Sequence, residues 1–242
     1  MRHNPGVSRP LRPLPILLVS AAVALPILLI FRPQPSPAPA STSATRSTFQ
    51  TVCATCHGPR GEGNRDRMAP PIANLTSWYV DEQIAKFRSG LRGTDPRDTH
   101  GRQMRAAILP LDDQALAEAT AELATLPFVA PEPPTPLPGD VTAGRESYTE
   151  LCMECHRYNA HGEFAFKCAP LAGLPSWYID AQITKFQSGI RGYHPHDESG
   201  AKMRKMSQRA ANPTERDNII SFLTTLGSRF PIEKEPSTPS GS

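Results

Sequence analysis

The 242-residue chain is short of nearly everything a self-sufficient core needs. Hydrophobic residues make up 38% and aromatics 7%, with only two tryptophans. A core built from this stock alone would be lean, so additional apolar volume is expected from outside the polypeptide. No segment alternates with the period of a strand, which leaves helices as the expected scaffold. Arginine and aromatic residues are not interleaved, and no acidic residue occurs before Glu62. The basic pI of 8.7 therefore belongs to Arg2, Arg9, Arg12 and Arg32, and the rest of the chain is close to neutral. That distribution excludes a nucleic-acid-binding surface.

Long apolar runs are also missing, with one exception. Residues 14–31, LPILLVSAAVALPILLIF, form an uncharged stretch of 18, with three arginines before it and Arg32 after it. Eighteen residues are near the minimum for spanning a bilayer and long for a signal-peptide core. The expectation is an uncleaved single-pass anchor in the inner (cytoplasmic) membrane, positive flank inside, with the remainder in the periplasm. Pro26 would kink such a helix without preventing insertion.

The 27 prolines are concentrated. They crowd residues 33–39, 127–138 and the tail after Phe230, and mark extended spacers rather than core. The expected organisation is an anchor or signal at 1–32, a Pro/Ser/Ala-rich linker at 33–45, a first domain at 46–126, a Pro-rich linker at 127–139, a second domain at 140–230 and a tail at 231–242.

Cysteine is scarce too, five in all, but four are placed with a fixed spacing. TVCATCHGPRGEG (51–63) and LCMECHRYNAHG (151–162) each hold Cys-x-x-Cys-His. A zinc site needs about four ligands, and a thioredoxin-like pair needs a βαβ setting. Neither accounts for the histidine that follows each pair. Covalent haem attachment does: two thiols add to the two vinyl groups, and the histidine on the same helical turn reaches the iron. Cys53, Cys56, Cys152 and Cys155 are thus the expected thioether residues of two covalently bound haem c groups, with His57 and His156 as iron ligands.

Shifting the chain by 99 residues shows why the motif occurs twice. SWYVDEQIAKFRSGLRG (77–93) falls on SWYIDAQITKFQSGIRG (176–192) without a gap, and 23 of 56 positions are identical between 49–104 and 148–203. Each copy reads as a helix, the Cys-x-x-Cys-His turn, a long loop, a middle helix ending near Gly90, a second ligand loop and a closing helix. Asp112 or Asp113 is the expected cap of one closing helix to Leu126. Asn212-Pro213 opens the other, to Leu226.

This order resembles class I cytochrome c, and the doubling resembles the two-haem cytochromes of the cytochrome c4 family. The middle segment is also similar to cytochrome c modules that serve terminal oxidases. The resemblance covers roughly 46–126 and 142–227. It implies an all-α fold of two tandem class I cytochrome c domains, following the transmembrane helix expected above. It further implies a methionine as the sixth iron ligand, and Met104 and Met203 are the methionines matched between copies, each 47 residues past its histidine. Met68 and Met206 have no counterpart and read as core filler. His100, His161, His194 and His196 are likewise unmatched.

By the same resemblance, Pro71 and Pro170 mark the carbonyl that orients each haem histidine. Trp78, Trp177, Tyr79 and Tyr178 pack near the haem edge. Arg92 and Arg191 are either propionate partners or solvated turn residues. Cys168 reads as a buried free thiol. The second motif is followed by RYNAHGEFAFKCAP, more apolar than GPRGEGNRDRMAPP after the first, which predicts a more apolar second pocket and a higher potential there. The expected role is transfer of single electrons in a respiratory chain, between a quinol-oxidising complex and a terminal oxidase or reductase. The alternative is a fixed cytochrome subunit of a dehydrogenase or oxidase complex, and a haem peroxidase or other haem enzyme is the third reading.

Overall fold

The computed structural model describes residues 46–131 and 136–229, and the expected membrane anchor at 14–31 lies outside them. Among the described residues no helix is long and apolar enough to cross a membrane. Their regular structure is helical, with no strand among the described residues beyond two isolated bridges, Asn64 to Ala69 and Glu163 to Cys168. Those bridges coincide under the 99-residue shift.

In the first copy a π-type turn, Phe49–Cys53, runs into α1 (Ala54–His57). Then come α2 (Ser77–Ser89), α3 (Thr99–Ile108) and α4 (Asp113–Thr125). In the second copy α5 (Val141–Leu151) leads into α6 (Met153–His156), followed by α7 (Ser176–Gln187), α8 (Glu198–Ser207) and α9 (Pro213–Arg229). The caps follow local chemistry. Asp112 accepts from the Ala115 amide at 2.8 Å, and Asn212 from Thr214 at 2.9 Å ahead of Pro213. Gly90 ends α2 in the left-handed conformation.

One expectation needs correction. Met104 and Met203 were expected on loops, yet they lie on α3 and α8, at the same position of each helix. The sequence pattern missed these helices because they are strongly polar (THGRQMRAAI, ESGAKMRKMS) and are started by side-chain caps. Asp98 and Asp197 accept from the amides of Gly101 and Gly200 at 2.9 and 3.0 Å.

Each copy builds its core around its motif. Phe49, Ala73, Val80, Ala119 and Leu123 form one cluster of the first copy, and Phe87, Ile108 and Leu116 another, against which Met104 packs. In the second copy a single cluster joins Tyr148, Ala172, Leu174, Ile179 and the α9 face Ile219, Ile220, Phe222, Leu223 and Leu226. There α5 lies directly on α9, because a Cβ at Gly144 would run into the Asn218 carbonyl.

A two-haem site and its polar junction

Each motif occupies one short helical turn. His57 and His156 are both 7% exposed, and their Nδ1 atoms lie 2.8 Å from the carbonyl oxygens of Pro70 and Ala169. A carbonyl only accepts, so Nδ1 carries the proton and Nε2 keeps its lone pair. Burial lowers both imidazole pKa values, against the opposing pull of the carbonyl, which favours the neutral, metal-binding form. The orienting carbonyls belong to the residues before Pro71 and Pro170, one earlier than expected. A proline disfavours the helical conformation in the residue preceding it, so the prolines set the geometry while their predecessors make the bond.

None of the four motif cysteines is joined in a disulfide, nor is Cys168. Cys56 is exposed, Cys53 and Cys155 are half-buried, and burial first, then nearby Glu215, pushes the half-buried Cys152 up to about 12. Cys168 is also half-buried rather than buried, with its Sγ donating to the Phe166 carbonyl at 3.5 Å. Met104, Met203, Met206 and Met68 are all half-buried. Symmetry separates two of them: Met203 sits on α8 where Met104 sits on α3, whereas Met206 takes the place of exposed Ala107.

Phe164 and Phe166 are 57% and 51% exposed. They do not line a pocket, so the expectation of a more apolar second site loses the residues it stood on.

The copies meet in a reciprocal polar junction that motif reading did not anticipate. Lys86 of α2 pairs with Asp197 at 2.9 Å, and Lys185 of α7 pairs with Asp98 at 2.6 Å. Arg92 donates to Gln83 of its own copy at 2.8 Å and to Gln182 of the other at 3.2 Å. Arg191 donates to Gln182 at 2.8 Å and to Gln83 at 3.3 Å. Each bond has its mate under the 99-residue shift, so the junction has the self-complementary form of a two-fold interface inside one chain. Asp98 and Asp197 serve twice, capping a methionine helix and receiving the other copy's lysine. Gly93 makes room for this turn: its φ is +79°, and a Cβ there would stand 2.5 Å from the Gly101 carbonyl oxygen.

Near the repeat-matched positions 74 and 173 the mates differ. Buried Asn74 donates to the carbonyls of Gly173 at 2.8 Å and Val129 at 2.6 Å, and accepts from the Val129 amide at 2.8 Å. The start of the Pro-rich linker at 127–139 is thereby tied into the junction.

Arg92 and Arg191 are not solvated turn residues. Their guanidiniums donate to Gln and Tyr side chains, all neutral, and the buried Nε of Arg92 has no hydrogen-bond partner among the described residues. Burial, and then the like charge of Arg92, pull Arg191 below its usual range. Two buried guanidiniums without a bonded carboxylate are costly unless an anion joins them. Together with two Cys-x-x-Cys-His turns, this donor set fits two haems: the cysteines and histidines would hold them, and Arg92 and Arg191 would neutralise propionate charge.

The signal that could have exposed the junction was present. Gln83, Lys86, Arg92 and Asp98 are all repeated at 182, 185, 191 and 197. Polar residues repeated on the inner helices of both copies are best explained by the copies touching.

Comparison with known proteins agrees with this reading. Residues 44–126 and 141–227 each match the family described as cytochrome c. The chain is 28% identical over 188 residues to a thiosulfate dehydrogenase electron acceptor of Stutzerimonas stutzeri (strain A1501), covering 74% of this chain and 80% of that one. Among solved structures it is similar to a thiosulfate dehydrogenase of Marichromatium purpuratum (TM-score 0.57, 26% identity, 74% of this chain), although it spans only 39% of that chain. Reduced cytochrome c4 of Pseudomonas stutzeri shares the fold (TM-score 0.57, 21% identity), over 72% of this chain and 93% of that one.

Proposed function

Since the chain belongs to the cytochrome c family and holds two of its domains with covalently bound haem c, we propose that it relays single electrons between a membrane quinol-oxidising complex and a terminal oxidase or reductase. In this reading Cys53, Cys56, Cys152 and Cys155 hold the haems, His57 and Met104 ligate one iron, and His156 and Met203 the other. Bound haem iron would supply the one-electron couple, and a thioether ligand in addition to an imidazole would favour its reduced form. The protein's own part is to fix the ligands. The Pro70 and Ala169 carbonyls orient the imidazoles, and the Asp98 and Asp197 caps hold the methionine helices. The carrying observation is the reciprocal junction, which locks both ligand sets into one body, so that an electron can enter through one copy and leave through the other.

A second reading is favoured by the likeness to a thiosulfate dehydrogenase electron acceptor along most of its length. Here the donor is a sulfur-oxidising dehydrogenase, and the chain is its dedicated acceptor. In both readings the apolar run 14–31 anchors the chain in the inner membrane and the haem domains lie in the periplasm, a placement supported by the length and flanking arginines of that run.

The deciding experiment follows haem reduction in the purified full-length protein. One arm supplies a quinol-oxidising complex and quinol, the other a thiosulfate-oxidising dehydrogenase and thiosulfate. Rapid reduction in only the second arm replaces the first reading with the second. For the ligands, Met104→Ala and Met203→Ala should each remove about half of the weak far-red absorption that thioether ligation gives. Retention in Met203→Ala, with loss in Met206→Ala, would move the assignment by one helical turn.

A further inference from the structure

The two bridges close identical backbone turns with opposite surface chemistry. In the first copy Asn64 and Ala69 exchange amide–carbonyl bonds of 2.8 and 2.9 Å around Arg65, Asp66, Arg67 and Met68. In the second, Glu163 and Cys168 exchange two bonds of 3.0 Å around Phe164, Ala165, Phe166 and Lys167. Met68 and Lys167 both take positive φ, +50° and +55°. All four residues of the second turn are exposed, and Tyr158, 70% exposed, lies on the same loop.

These aromatics are arranged rather than merely left over. Phe164 meets Trp78 of the first copy edge-on at 5.5 Å. The Lys167 ammonium lies over the Phe164 ring at 3.7 Å and over Trp78 at 5.8 Å, and the Arg157 guanidinium lies over Phe166 at 5.8 Å. Cations on ring faces hold an aromatic surface open and charged. Arg157 is neutralised by Glu163, but Lys167 makes no ion pair among the described residues, and exposed Lys202 is close enough to act electrostatically on Cys168. The surface is therefore aromatic at its centre and net positive. It is also fixed to the second motif, since Gly162 donates to the His156 carbonyl at 3.1 Å and Ala169 accepts from the His156 ring.

We propose that the turn 164–167, with Tyr158 and Trp78, is the docking surface for a redox partner protein whose contact face is apolar at the centre and rimmed by carboxylates. Exposed aromatic clusters of this kind mark interaction sites, and aromatic and cationic residues dominate binding energy in such contacts. Opposite charge steers the encounter. The partner exchanges electrons with the second copy, whose histidine lies at the base of this loop, and the polar turn of the first copy is not used. The inference rests on the electron-carrier reading and adds the face through which it operates.

The test uses the full-length, haem-loaded protein, reduced, with two oxidised probes in stopped flow: a plant-type plastocyanin with an acidic docking face, and a basic mitochondrial cytochrome c. The wild type should react faster with plastocyanin, at a rate that falls with salt. Phe164→Ala/Phe166→Ala should slow that reaction about tenfold or more with haem spectra unchanged, while Arg65→Ala/Arg67→Ala should slow it less than twofold. Lys167→Gln should weaken the salt dependence. A plastocyanin rate indifferent to the loss of both phenylalanines, or a preference for the basic probe, overturns the docking surface alone. A protein that takes dithionite electrons yet exchanges them with neither probe overturns the carrier reading as well.

Discussion

The turns at 64–69 and 163–168 share a backbone and differ in every tip residue, RDRM against FAFK. Beneath them, the motif helices, the imidazole–carbonyl bonds at 2.8 Å and the capped methionine helices are matched pair by pair. The difference teaches that duplication kept whatever positions a ligand and released whatever faces outward. Side chains that touch both copies are held by two sets of neighbours, whereas tip residues are held only by a turn that tolerates most side chains at its exposed positions.

The severest way to break the equivalence of the copies is to remove one attachment site. Cys53→Ser/Cys56→Ser and Cys152→Ser/Cys155→Ser should each lower the covalent haem content, by pyridine haemochrome assay, from two per chain to one. If one pair abolishes both, loading of the copies is coupled through the junction.

Next in size is the junction itself. Asp98→Ala removes the cap of α3 and leaves Lys185 without its carboxylate, which should cost about 3–5 kcal/mol in urea unfolding of the haem-loaded protein. The reciprocal Asp197→Ala should match it, since Asp197 caps α8 and pairs with Lys86. Acid should reproduce part of this effect. Burial raises the Asp98 carboxyl, but Lys185, the Gly101 amide and Arg92 outweigh it and hold its pKa below the usual carboxylate range. A depressed folded-state pKa stabilises above the unfolded value, and the stabilisation fades as pH falls through the folded one. Stability contributed by Asp98 should therefore be complete above about pH 4 and lost progressively below it, and Asp98→Asn should flatten that limb of a melting-temperature profile.

A smaller effect sharpens the comparison where the repeat is unequal. Asn74→Ala strands the amide and carbonyl of Val129 and the carbonyl of Gly173 and should cost about 1–3 kcal/mol. Limited proteolysis should report it first, as faster cleavage in the Pro-rich linker. The smallest expected change is in potential. Because Phe164 and Phe166 face outward, replacing both with Arg should leave the midpoints of a redox titration within experimental error. A clear drop at one haem would restore the idea that these rings shield it.

Much of the site was legible before any fold was known, because haem attachment is written over five consecutive residues. The repeat gave the paired methionines, and local capping chemistry gave the end of α2, the start of α4 and the entry to α9. The prolines located the orienting carbonyls to within one residue. Hydrophobic periodicity failed at α3 and α8, whose polar sequences start from an Asp cap rather than an apolar stripe.

Spacing and composition alone determined that this chain carries two covalent haem motifs on a duplicated helical unit, since those facts depend on atoms a few residues apart. Only the tertiary structure decided that the charged ends of Arg92 and Arg191 are withdrawn from solvent and that Lys185 reaches Asp98 across 87 positions and Lys86 reaches Ser199 across 113. It also decided that FAFK lies outside rather than in a pocket. Contacts between residues so far apart leave no period in the sequence, and whether an aromatic ring is buried depends on what the rest of the chain brings to cover it.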